Sequence, residues 1–76
     1  MTPASAVLRA VANELAEQAR ESLPKLRPGE QVCREWFEKG MLYRETALAG
    51  ETFLFRYDFR QRQCYYGERG VWQLLT

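Results

Sequence analysis

Histidine is absent from the 76 residues. That removes the side chain most used for proton transfer near neutral pH and most used to ligate metals. No Ser-His-Asp or Cys-His arrangement can be built without it. Cys33 and Cys64 stand far apart, form no CxxC pair, and cannot by themselves complete a four-ligand zinc site. The remaining acid/base candidates are Glu35, Glu38, Glu45, Glu51, Asp58 and Glu68. Each sits in a polar stretch, and most have a basic neighbour, as in Arg34-Glu35 and Arg44-Glu45. Solvated faces and exposed ion pairs account for that pattern. The expectation is therefore no catalytic residue, no bound cofactor and no metal: a protein that binds rather than an enzyme.

Three smaller features have a chemical reading beside a plainer one. Cys33, followed by Arg34, would fall in the first turn of a helix, and both features lower a thiol pKa. Its neighbours Trp36 and Phe37 argue instead for a buried, inert thiol. Gly67-Glu68-Arg69-Gly70 has the letters of a loop that clamps nucleic-acid backbone, but such loops join helices. Between strands it reads as a tight reversal. The stretch from Phe53 to Tyr66 interleaves Phe53, Phe55, Tyr57, Phe59, Tyr65 and Tyr66 with Arg56, Arg60 and Arg62. Sheets that bind single-stranded nucleic acid stack bases on such rings and hold phosphates with such arginines. A chain this small needs many of the same rings inside, so a buried sheet face is the competing account.

The elements that must position these residues follow from periodicity. Leu8, Val11, Ala12, Leu15, Ala19 and Leu23 recur at helical spacing, predicting a helix over about 3–23. Thr2 and Pro3 supply a cap and a first-turn proline, and the alanines from Ala4 to Ala19 add propensity. Pro24 and Pro28 bracket a bend. A second helix is predicted over about 30–39, with Val32, Cys33, Trp36 and Phe37 on its apolar side and Gly40 as its stop. Beyond Gly40 the period shortens to two, and eight of the ten aromatic residues lie from Tyr43 onward. Strands are predicted over about 41–48, 52–57, 63–66 and 71–75, joined by short turns that force antiparallel neighbours. The fold class is thus α+β, one small domain with two N-terminal helices packed on one face of a four-stranded antiparallel meander. Phe53, Phe55 and Tyr57 should meet Leu8, Leu15, Trp36 and Phe37.

Composition bounds the partners. Charges balance at 11 basic against 10 acidic, a net of +1, so no general attraction to nucleic acid or an acidic membrane is indicated. No stretch reaches the roughly 18–20 apolar residues of a membrane span, and no signal peptide is evident. A cytoplasmic location with reduced thiols is expected. Once one sheet face is assigned to the core, the other should keep Leu42, Arg44, Leu54, Arg56, one of Tyr65 and Tyr66, and Trp72, with Arg60 and Arg62 in an exposed turn. Aromatic residues and arginine are the usual anchors of protein interfaces. The expected function is a protein-interaction module (adaptor, inhibitor or assembly factor) docking through this open face. A homodimer through the same face is a further possibility. The alternative is a single-stranded RNA- or DNA-binding domain using Arg56, Arg60 and Arg62 with sheet aromatics.

Overall fold

The computed structural model describes residues 4–75, with side chains from 13 onward. One helix, α1 (Ala4–Ser22), precedes five strands: β1 (Gln31–Glu38), β2 (Met41–Leu48), β3 (Glu51–Asp58), β4 (Gln63–Glu68) and β5 (Val71–Leu75). They form one antiparallel sheet in the order β1-β2-β3-β4-β5. The expected cap at Thr2 and Pro3, and the side chains of Leu8, Val11 and Ala12, lie outside the described residues.

The expectation of two helices on a four-stranded sheet is overturned, because the segment expected as a second helix is strand β1. Two features disguised it. The sheet register slips between Val32 and Arg34, leaving Cys33 as an extra residue and breaking the alternation. Trp36 and Phe37 then point to opposite faces of a sheet that is apolar on both, so an i, i+1, i+4, i+5 pattern arises without a helix. Gly40 ends no helix. It is the second residue of a two-residue hairpin turn in which Lys39 and Gly40 have φ of 50° and 76°. Ala49-Gly50 and Arg69-Gly70 repeat that geometry, with φ of 53° and 80°, and 51° and 76°. Positive φ at both turn residues matches the right-handed twist of the flanking strands.

The register assigns the faces. Leu42, Arg44 and Thr46 of β2 are buried and stand opposite Tyr57, Phe55 and Phe53 of β3. Cys64 and Tyr66 of β4 continue this face opposite Tyr57 and Phe55. Here the core forms, from Ala19, Leu23 and Leu42 packed with Phe55, Tyr57, Phe59 and Cys64. Ala16 and Ala19 are buried, so the helix approaches the sheet through small side chains. Of the partners expected for this face, Phe37 does lie on it, stacked on Phe59 with centroids 5.9 Å apart, but at its margin rather than in the core. Leu15 and Phe37 remain 43% and 54% exposed, and Trp36 belongs to the opposite face.

Polar ties fasten the helix side. The Glu35 carboxylate accepts from Arg44 Nε and Nη2, each at 3.2 Å, and from Arg20 Nε at 3.3 Å, joining β1, β2 and α1. The buried Glu30 carboxylate accepts from the Arg27 backbone N–H at 2.9 Å, from Arg27 Nε at 3.2 Å, and from the Thr46 hydroxyl. These hydrogen bonds, led by the Arg27 side chain, hold the Glu30 carboxyl down at about 2, against an ordinary value of 4.5. The Cys64 thiol donates to the Ser22 carbonyl at 2.9 Å, closing the end of α1 onto β4. Burial pushes that thiol's pKa up.

Candidate functional site

The face turned away from α1 carries a row of paired side chains across all five strands. Trp36 stands opposite Tyr43, Tyr43 opposite Arg56, Arg56 opposite Tyr65, and Tyr65 opposite Leu74. A second row beside it runs Arg34, Glu45, Leu54, Gly67, Trp72. Two-residue turns set this alignment between β1 and β2, β2 and β3, and β4 and β5, and the four-residue turn 59–62 sets it between β3 and β4, since each turn fixes which residues of its two strands face one another.

Within these rows the rings touch. Trp36 and Tyr43 stack with centroids 5.2 Å apart and planes 6° from parallel. Trp72 meets Tyr43 edge-on at 5.8 Å. It can reach Tyr43 because its cross-strand neighbour is Gly67, where an added Cβ would lie 2.9 Å from the indole ring. The glycine lets the indole lie flat over the backbone of β4.

Arg56 sits at the centre of the band. Its guanidinium carbon lies 4.2 Å from the Trp72 ring centroid and 5.0 Å from that of Tyr65. Its Nε is buried and has no hydrogen-bond partner among the described residues. Ring faces attract the cation but leave its in-plane N–H donors unused. Arg34 lies over Trp36 at 4.4 Å and also meets Glu45 at 4.0 Å, so its charge is opposed within the fold. The arrangement presents flat aromatic area around one oriented guanidinium that no carboxylate among the described residues neutralises.

Of the residues expected on this face, Leu54, Arg56 and Trp72 are there. Leu42 and Arg44 are not. Leu42 is 1% exposed beneath α1, and Arg44 is buried against Glu35, so neither can meet a partner on the open face. The reason is register: Leu42 pairs with Tyr57 rather than lining up with Leu54. Arg60 and Arg62 fall in the loop after β3, whose backbone is bound by Asp58. The Asp58 carboxylate accepts from the N–H groups of Arg60 and Gln61 at 2.9 and 3.2 Å. Arg62 has φ 56° and lines a hollow with Ser22, Tyr57 and Cys64 on the helix side. It therefore does not extend the band around Arg56.

Tyr65 is the member of the Tyr65/Tyr66 pair that lies on this face, and Gly67 belongs to it too; Trp36, Tyr43 and Arg34 complete the band and were not expected there from sequence. The recurring X-Gly pairs at 39–40, 49–50 and 69–70 were the signal that could have found them. Read as two-residue turns, they place Trp36 opposite Tyr43 and Tyr43 opposite Arg56 by counting alone.

The other chemical options change with the fold. Cys33 is exposed at the β1 bulge and not at a helix start, so neither the helix-activated nor the buried reading of its thiol holds. Gly67 to Gly70 is the β4–β5 hairpin. Among the described residues no cluster of Cys, Asp and Glu is placed to hold a metal ion, and no helix is long and apolar enough to cross a membrane. Comparison with protein-family models, with curated proteins and with solved structures found no match.

Proposed function

We propose that this chain is a protein-interaction module that docks a partner protein on the open sheet face through the band Trp36, Tyr43, Arg56, Tyr65 and Trp72. The observation that carries this reading is Arg56, held between two rings with its charge unopposed. A buried donor without a partner costs about 1–3 kcal/mol, a cost that a partner's acceptor at this point would relieve. The group best suited to the guanidinium is a carboxylate, whose two oxygens accept from it in bidentate fashion. Large rings around a central arginine, with polar residues at the margin, are also the composition of protein-interface anchors.

A nucleic-acid surface draws less support. Binding a backbone of phosphates needs several cations along one track. Arg62 lies on the helix side, away from Arg56, and Arg34 is opposed by Glu45.

The test is capture of partners from the native host's lysate by the wild-type chain, by Arg56→Glu and by Arg60→Glu. A specific protein retained by the wild type and by Arg60→Glu, and lost with Arg56→Glu, is the expected result. Equal capture by all three would exclude the open face. Oligonucleotide binding at low salt that weakens steeply as salt rises would move the assignment to nucleic acid.

A further inference from the structure

We infer that β5 is a self-pairing edge, through which two copies of this chain join their sheets about a two-fold axis at Gln73. The two edges of the sheet differ. β1 is guarded by the bulge at Cys33 and by Arg34, Glu35 and Glu38, devices that discourage strand addition. β5, Val71-Trp72-Gln73-Leu74-Leu75, has no charge, no proline and no bulge. Val71 and Leu74 are 59% and 49% exposed along it.

The hydrogen-bonding parity of β5 follows from its turn. In a two-residue hairpin the residues flanking the turn, here Glu68 and Val71, exchange both backbone hydrogen bonds. Alternation then turns the N–H and C=O of Val71, Gln73 and Leu75 toward β4. Those of Trp72 and Leu74 point out from the sheet.

An antiparallel second copy can satisfy these outward groups in a self-consistent way. With the axis at Gln73, Trp72 of each copy faces the partner's Leu74. Both residues present outward backbone groups, so each such pair exchanges two hydrogen bonds. Gln73 faces the partner's Gln73 as the non-hydrogen-bonded pair between them, where amide side chains come close and can bond one another. Val71 faces the partner's Leu75. Every opposed pair is apolar with apolar or amide with amide, and no like charges meet. A chain of this size also gains burial it lacks alone, a common solution below about 70–80 residues. The open faces of the two copies would lie side by side in one ten-stranded sheet, independently of what docks on the ring band.

The test is sedimentation equilibrium of the wild type, Gln73→Lys and Gln73→Glu from micromolar to millimolar chain. Gln73 is exposed, so both variants should keep the wild-type circular dichroism spectrum. The wild type is expected to show a concentration-dependent particle of twice 8.9 kDa. Each variant alone sets like charges across the axis and should weaken association by at least about tenfold. An equimolar mixture of the two variants should restore it. Leu74→Pro, which removes an outward N–H that the sheet itself does not use, should also be monomeric. A wild type that stays monomeric at millimolar concentration, leaving the edge to a strand from another protein, would overturn the inference. So would dimerisation that the charge variants leave unchanged. Trp36→Ala, on the opposite margin of the sheet, should leave self-association intact even where it abolishes partner capture.

Discussion

Gly67 and Trp72 show how much the candidate site depends on single atoms. A methyl group at position 67 would meet the indole at 2.9 to 3.2 Å, so Gly67→Ala must push Trp72 off Tyr43 and Arg56. Overpacking of this kind costs about 1–3 kcal/mol. The expected outcome is a lower unfolding midpoint together with altered near-ultraviolet circular dichroism. An unchanged aromatic spectrum would mean that the ring does not rest on this glycine. Glu30 offers a second test at the same scale. Its carboxyl titrates at about 2 in the folded chain against 4.5 ordinarily, so between those values the unfolded chain binds the extra proton. The stabilisation is complete above 4.5 and disappears as pH falls through about 2. Glu30→Gln should therefore cost most near neutrality, with its deficit shrinking as the solution is acidified from pH 5 to pH 2, as read by denaturant melts across that range. A deficit independent of pH would show that the ionised carboxylate contributes nothing.

The hairpins decide behaviour at the scale of elements. Ala49 is a non-glycine residue at φ 53°, a region that costs an ordinary L-residue roughly 1–2 kcal/mol. Asparagine tolerates it and, followed by glycine, is the preferred pair for this turn. Ala49→Asn should stabilise the fold by about 0.5 kcal/mol, measured by urea denaturation. A destabilised variant would argue against the positive-φ turn. The same turns account for what was legible here. Four strands could be read from the alternation after Gly40, and they appear as β2 to β5. β1 could not be read that way, because its bulge and its two-sided apolar character imitate helical spacing. The faces of β2 were also misassigned. Alternation within one strand does not say which parity matches the neighbour; the turn length does.

Across the whole molecule, arginines of the same composition have different roles on the two sides of the sheet. Arg44 is buried beside Glu35, whereas Arg56 lies on rings with no carboxylate against it among the described residues. Removing one partner of a buried ion pair leaves the other uncompensated and typically costs about 3–5 kcal/mol. Arg44→Ala is expected to destabilise the fold but to fall short of that loss, because the Glu35 side chain is 22% exposed and Arg20 still contacts it at 3.3 Å. Arg56→Ala should leave the unfolding midpoint nearly unchanged and act on partner capture alone. Thermal melts of the two variants side by side distinguish a structural arginine from a binding one. Equal destabilisation would place Arg56 among the structural ones.

From its residues alone the chain was set to form an N-terminal helix followed by antiparallel strands, because helical spacing up to Leu23 and alternation after Gly40 are local properties. The absence of histidine equally constrained its chemistry before any folding. Only the tertiary structure decided that residues 31–38 form a fifth strand, that Leu42 and Arg44 turn inward, and that Trp36, Tyr43, Arg56, Tyr65 and Trp72 share a face. Those outcomes depend on cross-strand register, which relates residues distant in the chain. A strand paired on one side and apolar on both faces carries too weak a local period to reveal it.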